Sequence, residues 1–429
     1  MAPRRAKPEL LAPAGGPEQL AFALHFGADA VYLACERFGL RQRAANFSLE
    51  TLPGAVAEAH AAGAKVYVAA NALMGAEDIA AFPSYVEAIA HAGADAVIVS
   101  DLGAARLARR HAPELALHVS TQASVMNAEA ACAWYELGAR RVVCAREMSV
   151  ADIAAMRAAV PDDLEIEAFV HGAMCMAYSG RCLISSFVNG RSGNRGHCTQ
   201  PCRWGYALVE QTRPGEPFPI EEEGGASFVL SSKDLNMLHH LDDLAAAGVD
   251  SLKIEGRVKK AYYVATVVNA YRQVLDGADP AAFDADLDAV SHRPYSTGFF
   301  YGPAEQAPGG PEYASTHVLA GIVEGCEMRA AGASEEPDAY DIRFDLRNRI
   351  VEGDVLEVLS PGAPTRQLRA TDLRIIEEDG AGGEYAVAVP AADRASRRYL
   401  MRCPFPLSAR DILRTRLPET DASRARRFT

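Results

Sequence analysis

Short apolar runs alternate with amphipathic stretches through the first 280 residues. Five times a helical stretch ends in Gly and a strand rich in β-branched residues follows: HFGADAVYLA (25–34), AAGAKVYVAAN (61–71), HAGADAVIVSD (91–101), ELGARRVVCA (136–145) and AAGVDSLKIEG (246–256). Glycine just past a helix end is a common cap, because it adopts the left-handed conformation that ends the helix. Runs such as AVYLA and AVIVS are apolar on both faces, which is typical of parallel strands covered by helices. The pattern therefore predicts repeated βα units.

Eight βα units can be placed in this part of the chain. The predicted strands are 9–13, 30–34, 65–70, 96–100, 115–120, 141–145, 164–170 and 251–255. The predicted helices are 17–26, 51–62, 78–92, 102–111, 127–137, 149–158, 236–247 and 259–276. Eight such units close into a TIM-type (β/α)8 barrel, which we predict for residues 1–300. A doubly wound open sheet is the alternative, although no GxGxxG motif follows the first strand.

The pattern changes after a segment rich in Pro and Gly. We predict a linker over 301–312, and then a small antiparallel β-barrel domain over 313–418. Its runs HVLAGIVEG, AYDIRFDL and GDVLEVLSPG are short alternating strands separated by Gly turns. Domains of this kind often bind nucleic acid or protein. The last residues, 419–429, form a basic tail.

Four of the nine cysteines lie in one insertion, predicted over 171–232 after strand seven. Cys175, Cys182, Cys198 and Cys202 have the spacing C-x6-C-x15-C-x3-C. Four thiols without carboxylates suit zinc or an iron–sulfur cluster. Structural zinc sites usually contain cysteines two to four residues apart, and only the last pair fits. Unliganded or redox cysteines are the third interpretation. The rest of the insertion contains two strand-like runs, 205–210 and 227–231, which predict a hairpin.

Composition and charge narrow the class of protein. The 429 residues carry a formal net charge of −13, which counts against nucleic-acid binding by net charge but leaves room for a local basic patch. Between His171 and Gly205 there are four arginines and no Asp or Glu. We find no export signal and no apolar window long enough for a membrane helix, so we expect a cytoplasmic protein without a membrane partner.

Polar residues cluster where the predicted barrel strands end, which is the face where barrel active sites lie. Arginines at this face suit an anionic substrate, because guanidinium binds carboxylate or phosphate through two hydrogen bonds. Caps and surface ion pairs are the alternative role for each residue. We predict His171, Glu255 and Lys253 as catalytic candidates. The substrate-binding candidates are Arg41, Arg43, Asn46, Asn71, Gln122 and Arg257.

Several stretches of the chain, including those that contain these residues, resemble a known protein family. The chain resembles peptidase family U32, once called collagenase-like, over nearly its whole length. The matching pieces are ELLAPAG (9–15), GADAVYL (27–33), FGLRQRAANF (38–47), EAFVHGAMCMAYSGRC (167–182), GHCTQPCRW (196–204), SSKDL (231–235), SLKIEGR (251–257) and RNRIVEGDVLEV (347–358). The cysteine spacing and the added β domain are most similar to the family branch that modifies tRNA.

The resemblance implies a function and a cofactor. Members of that branch convert the wobble uridine of tRNA to 5-hydroxyuridine with prephenate-derived chemistry, and they hold a 4Fe–4S cluster. It therefore implies a cluster on the four cysteines, with zinc as the alternative, and tRNA and the small anion prephenate as partners. We predict that Arg191 and Arg195 contact RNA. A peptidase and a non-catalytic iron–sulfur redox or assembly protein are the alternatives, although neither HExxH nor GxSxG occurs.

Overall fold

The chain folds into two compact units. The computed structural model describes residues 7–41, 44–175, 177–178, 180–204, 207–208, 218–219, 232–305, 313–329, 340–379, 383–395 and 397–417. The first unit comprises Met1–Pro280 and His292–Tyr313, and the second comprises Ala281–Ser291 and Ala314–Thr429. Residues 281–291, inside the predicted range of the barrel domain, therefore group with the second unit.

The first unit is built on a closed barrel of eight parallel strands. They are β1 (Glu9–Pro13), β2 (Ala30–Leu33), β3 (Lys65–Ala69), β4 (Ala96–Val99), β5 (Ala116–Val119), β6 (Ala139–Val143), β7 (Glu165–Ala173) and β11 (Ser251–Ile254). Each strand pairs with the next, and β11 closes the barrel by pairing in parallel with both β7 and β1. All eight strands coincide with predicted ones to within a few residues. The predicted (β/α)8 barrel is confirmed.

Helices cover the outside of the barrel. They are α1 (Pro17–His25), α2 (Leu52–Ala61), α3 (Ala76–His91), α4 (Leu102–His111), α5 (Ala128–Glu136), α6 (Val150–Ala159), α8 (Leu241–Ala246) and α9 (Ala261–Leu275), while α7 (Ile184–Asn189) belongs to the insertion. Gly27 and Gly93 follow α1 and α3 with φ of 93° and 83°, as the predicted glycine caps require. None of the helices in the described part of the chain is long and apolar enough to cross a membrane.

The region between β7 and β11 differs from the sequence prediction. The predicted helix 236–247 is shortened to α8, because β10 (Asp234–Asn236) pairs antiparallel with the end of β7 and in parallel with β12 (Tyr295–Ser296). In the predicted hairpin, β8 (Ala207–Leu208) lies within the first predicted strand. It pairs with β9 (Phe218–Pro219), which lies between the two predicted strands. The predicted second strand, 227–231, lies outside the described residues.

The second unit is an antiparallel β structure that begins with α10 (Asp284–Ala289). Its strands are β13 (His317–Met328), β14 (Tyr340–Leu346), β15 (Ile350–Val351), β16 (Val355–Leu359), β17 (Arg366–Arg369), β18 (Thr371–Glu378), β19 (Glu384–Ala388), β20 (Ala391–Ala392), β21 (Arg398–Cys403) and β22 (Ile412–Arg416). The main sheet has the order β17-β16-β22-β13-β14-β21-β18-β19. Its core contains Phe344, Tyr399 and Met401. The predicted antiparallel β domain is confirmed, and the predicted basic tail, 419–429, lies outside the described residues.

Candidate active site at the barrel mouth

A pocket opens at the carboxyl ends of the barrel strands. It encloses about 460 Å³ of empty volume, open solvent included. Four of its lining side chains are cationic and one is anionic, so the pocket is positively charged in a protein that is acidic as a whole. The lining residues are Tyr32, Leu40, Arg41, Ala69, Asn71, Ile98, Ser120, Thr121, Gln122, Arg146, Phe169, Lys253, Glu255 and Arg257.

Glu255, just after β11, is the only carboxylate of this lining. Arg41 Nη2 lies 3.3 Å from its Oε1, and Arg146 Nη2 lies 3.4 Å from its Oε2. Burial alone would raise the pKa of Glu255, but the charges of Arg41, Arg146 and the neighbouring cations outweigh it and hold the pKa below its ordinary value. Glu255 is therefore an ionised group that orders the two guanidiniums around it.

Arg257 supplies the least compensated charge of the pocket. It is almost fully buried, and its Nη1 has no hydrogen-bond partner among the described residues. Burial, aided by repulsion from Arg41, lowers the pKa of Arg257 to about 10. A buried cation without an acceptor is costly, and an anion in the pocket would offset that cost. This is the strongest indication in the structure of the charge of the ligand.

A network of paired charges fills the barrel below the pocket. Lys253 Nζ lies 2.8 Å from Glu167 Oε1, and Arg141 Nη1 lies 3.0 Å from Glu167 Oε2 and 2.7 Å from Glu9 Oε1. Arg141 also binds Glu165, at 2.6 Å. Lys253, predicted as catalytic, thus forms the pocket floor and is already paired with a carboxylate.

The predicted amide residues have different places. Asn71 and Gln122 line the pocket, and Asn71 Nδ2 donates a hydrogen bond of 2.9 Å to Ser120 Oγ. Asn46 is not among the lining residues; it has a φ of 53° and donates from Nδ2 to the Arg41 carbonyl at 3.2 Å. Asn46 therefore supports the loop that presents Arg41. Arg43 lies outside the described residues.

The structure does not bring His171 into the pocket, because β7 contains a β-bulge. Phe169 pairs with Lys253, whereas His171 pairs with Ile254, so Val170 is the extra residue. The bulge turns the imidazole away from the barrel interior. The ring is instead buried among Tyr263, Tyr271 and Tyr295. Burial lowers the pKa of His171 to about 3. The predicted acid–base role of His171 has no support from this geometry.

Arg146 is the pocket residue that sequence reasoning missed. Besides Glu255, it contacts the Phe169 ring, with its Cζ 3.9 Å from the ring centroid, and donates from Nη1 to the Ala173 carbonyl at 2.6 Å. It thereby joins the pocket to the last residue of β7, from which the chain continues to the four cysteines. Its position three residues after β6 was a usable signal, since functional residues of such barrels follow the strand ends.

The cysteine-rich insertion is attached to the rim of this pocket. A Cβ on Gly180 would lie only 2.3 Å from the Gln122 carbonyl oxygen, and Gly180 has a φ of 79°, so glycine permits this close approach. In the loop after β3, Leu73 N donates to the Asn194 carbonyl at 2.9 Å. Both contacts are to loops that carry pocket residues, which fixes the insertion beside the mouth.

The four predicted metal ligands share this segment. Cys175 and Cys198 are exposed, and Cys182 and Cys202 are half-buried. Among the residues that the structure describes, no three His, Cys, Asp or Glu side chains are arranged to hold a metal ion. The thiols fit a soft metal or an iron–sulfur cluster in type and number. Their role as its ligands stays a prediction.

The two predicted RNA-binding arginines lie on the same insertion, after α7. Arg191 is exposed, and it follows the helix cap Gly190, which has a φ of 70°. Arg195 Nη2 lies 2.9 Å from Asp78 Oδ2, so part of its charge is already compensated. Arg191 therefore offers the clearer phosphate contact of the two.

Comparison with known proteins agrees with this arrangement. The sequence model described as peptidase family U32 matches residues 15–308, which spans most of the barrel, the cysteine insertion and the pocket. The chain belongs to this family. The resemblance on which the sequence analysis relied is confirmed.

Members of the family have names that describe different reactions. The chain is 40% identical to the tRNA hydroxylation protein P1 of Bacillus subtilis, over 83% of this chain and 84% of that protein. It is 38% identical to the 23S rRNA 5-hydroxycytidine synthase of Escherichia coli, over 62% of this chain and 39% of that protein. It is also 34% identical to a collagenase of Porphyromonas gingivalis, over 68% of this chain and 73% of that protein. The family alone therefore does not determine the reaction.

Proposed function

We propose that this protein is an RNA-hydroxylating enzyme that converts the wobble uridine of tRNA to 5-hydroxyuridine. In this proposal the mouth pocket holds the dianion prephenate, and the four cysteines of the insertion hold a 4Fe–4S cluster. The observation that carries the proposal is the cationic pocket, in which Arg257 is buried with Nη1 unpaired among the described residues. The relative with which the chain shares 40% identity is named for tRNA hydroxylation, which supports the choice of RNA.

The pocket residues have separate roles in this proposal. Arg257 and Arg41 bind carboxylates of the anion, because guanidinium matches that group in geometry and charge. Glu255 keeps Arg41 and Arg146 oriented in the absence of the anion. Lys253 remains paired with Glu167 at the floor. Asn71 and Gln122 supply neutral donors and acceptors for the uncharged parts of the substrate.

A peptidase is less consistent with the pocket. Nucleophilic catalysis needs a hydroxyl or thiol beside a base. The lining described for this pocket contains neither histidine nor cysteine, and its three hydroxyl groups are engaged. Tyr32 Oη donates to the Ile254 carbonyl at 3.0 Å, Ser120 Oγ accepts from Asn71, and Thr121 Oγ1 donates to the Cys144 carbonyl at 3.0 Å. The electrostatic field favours a small anion over the neutral backbone of a peptide.

Nucleoside analysis of tRNA tests the proposed reaction. A strain lacking the gene should lose 5-hydroxyuridine and its derivatives, and the wild-type gene should restore them, as measured by mass spectrometry. Restoration by Arg257→Ala should be strongly reduced, whereas Arg140→Ala, which changes an exposed arginine at the amino end of β6, should restore fully. An unchanged nucleoside profile in the deletion strain would remove tRNA as the substrate.

Calorimetry tests the ligand of the pocket directly. Loss of a charge-assisted hydrogen bond should weaken prephenate binding by roughly 10- to 150-fold in Arg257→Ala. Arg140→Ala is the matched control, because its ion pair with Asp163 is solvent-exposed. Equal affinities of wild type and Arg257→Ala would exclude Arg257 from the site.

Metal analysis tests the proposed cluster. Protein purified without oxygen should contain about four iron and four sulfide per chain, as the 4Fe–4S stoichiometry requires. Replacing any of Cys175, Cys182, Cys198 or Cys202 by Ser should lower both contents. Cys132→Ser, on α5, is the control and should leave them unchanged. One tightly bound zinc without sulfide would contradict the cluster.

A further inference from the structure

The helix of the cysteine insertion buries a polar side and exposes an apolar one, which is the reverse of an ordinary surface helix. In α7, Ser185 is buried, while Phe187 is 82% exposed, more than any other large apolar side chain that the structure describes. Leu183 precedes Phe187 by four residues and lies on the same side of the helix, also exposed. Surface helices normally bury such residues, so this face indicates a partner.

The inner side of α7 explains why Phe187 cannot turn inward. Thr199 N donates to Ser185 Oγ at 3.2 Å, and the two hydroxyl groups lie 3.3 Å apart. Asn189 on the next turn is hydrogen-bonded to the same threonine. Polar side chains therefore fix the orientation of the helix, and rotating it would break these contacts to bury one ring. The exposure of Phe187 is built into the fold of the insertion.

The surroundings of Phe187 are aromatic and basic. Helix α7 packs against the turn Pro201–Arg203, and Trp204, which follows that turn, is 45% exposed. Arg181 and Arg191 flank the helix in sequence, and the segment from residue 171 to residue 205 contains no carboxylate side chain. Rings beside positive charges are the usual surface for unpaired nucleotides, because bases stack on the rings while the cations meet the phosphates.

The insertion is also in the right place for such a ligand. Gly180 lies against Gln122, and Asn194 is bonded to Leu73, two residues beyond Asn71; Gln122 and Asn71 both line the pocket. A base that is taken out of its stack into a pocket draws the neighbouring nucleotides over the rim. A second copy of this acidic chain could bring carboxylates to the arginines but no unpaired base to the exposed rings, whereas single-stranded RNA matches both.

We propose that Phe187 is a stacking residue for an unpaired RNA base next to the nucleotide that enters the pocket. The proposal rests on the proposed function, since it takes single-stranded RNA at the mouth as the ligand. Trp204 provides a second ring of the same surface. Phe187 is a positioning residue here: it holds the RNA strand and takes no part in the chemical step.

Binding measurements on the full, anaerobically purified chain test this role. The probe is a labelled anticodon stem–loop with a uridine at the wobble position. Phe187→Ala should weaken binding by roughly 5- to 150-fold, as for other base-stacking side chains. Phe187→Tyr keeps the ring and should bind as wild type does. Leu137→Ala, which removes an equally apolar exposed side chain after α5, is the matched control.

Salt dependence and a second probe separate stacking from other effects. Phe187→Ala should leave the slope of log affinity against log salt unchanged, whereas Arg191→Ala should lower it by about one. A fully paired RNA duplex should bind wild type and Phe187→Ala equally. Loss of affinity for both probes, or loss of iron in Phe187→Ala alone, would mean a general disturbance of the insertion and would overturn the proposal.

Two further outcomes distinguish this inference from the proposed function. Hydroxylation by wild type together with unchanged stem–loop affinity in Phe187→Ala would overturn the stacking role alone. If wild type makes no hydroxylated uridine and the stem–loop still binds through Phe187, the proposed reaction fails and the stacking surface stands. A concentration-dependent dimer that Phe187→Ala converts to monomer, with RNA affinity unchanged, would assign the surface to a second copy instead.

Discussion

At the scale of single residues, three glycines determine how closely the elements of the site approach. A Cβ on Gly15 would lie 1.9 Å from the Arg257 carbonyl oxygen, and one on Gly172 would lie 2.5 Å from that of Glu255. Gly180 makes the corresponding approach to Gln122. The neighbouring atoms are backbone, which cannot rotate away. The positions of the charged groups thus depend on glycine at these three places, because any larger residue would push the facing backbone away.

Gly15→Ala should disturb both stability and anion binding. The added methyl group must push the Arg257 backbone outward, so we expect a loss of about 2 kcal/mol or more in the free energy of unfolding, as for other overpacked sites. Prephenate affinity should fall with it. Gly54→Ala is the control: nothing lies within 4 Å of its Cβ in α2, so it should stabilise by up to about 1 kcal/mol. Equal unfolding curves for both variants would contradict the clash.

His171 should make the protein acid-sensitive. Its folded-state pKa is lowered to about 3 by burial, whereas an unfolded histidine titrates near 6.5. The unfolded state therefore binds more protons, and this stability is complete above about pH 6.5 and is lost as the pH falls toward 3, by about 1.4 kcal/mol per pH unit. Denaturant unfolding of wild type and His171→Asn between pH 7 and pH 4.5 measures it. Parallel pH profiles would show that His171 does not titrate as described.

At the scale of elements, the barrel strands are held together by charges as well as by apolar contacts. Arg141 on β6 binds Glu9 on β1 and both Glu165 and Glu167 on β7. Burial alone would lower the pKa of Arg141, but the surrounding carboxylates hold it above its ordinary value. Arg141 therefore stays charged and connects three strands across the barrel interior.

Removing Arg141 should be far more damaging than removing its neighbour. Arg141→Leu removes a charged partner from each of the buried Glu9 and Glu167 carboxylates, so the free energy of unfolding should fall by about 3–5 kcal/mol. Arg140→Leu removes an exposed pair with Asp163 and should cost about 1 kcal/mol or less. Denaturant titration of the two variants compares them. Similar losses in both would show that the buried network contributes little.

The sequence predicted the elements better than the site. Apolar runs and glycine caps placed all eight barrel strands, because both faces of each strand are buried and each helix needs an end. The bulge at Val170 is a one-residue irregularity without such a signal, so His171 was expected in the pocket and lies outside it. Arg146 was missed because an arginine after a strand resembles an ordinary surface residue until its contacts with Glu255 and Ala173 are known.

At the scale of the whole molecule, the second unit depends on residues that come before its strands. Asp286 on α10 lies 2.5 Å from Arg414 Nη2 and accepts a hydrogen bond from Thr365 Oγ1 at 3.0 Å. Arg414 is buried and has Glu357 as a further partner, at 2.7 Å. The segment 281–291 thus supplies part of the charge balance of the β unit, although the linker separates the two in sequence.

Fragments that include or omit this segment should differ in stability. The free energy of unfolding should be about 1–3 kcal/mol higher for residues 281–429 than for residues 314–429. This is the cost of leaving a buried charged group with one partner fewer. Denaturant titration of the two fragments measures the difference. Asp286→Asn in the longer fragment should reproduce much of the difference. Equal stability of the two fragments would show that α10 does not contribute to the unit.

The network around Arg141 also restricts how this sequence can change. Burying Arg141 is energetically tolerable only while its carboxylate partners are present. Burying the Glu9 and Glu167 carboxylates likewise depends on Arg141. A variant library that alters one position at a time should therefore tolerate almost nothing at Glu9, Arg141 or Glu167. A library that replaces these three and Lys253, the other buried partner of Glu167, together with apolar residues of matching volume should recover folded proteins, because a buried ionic network can be exchanged as a whole for a packed hydrophobic one. The charged interior of this barrel can therefore change to an apolar one only by simultaneous substitutions.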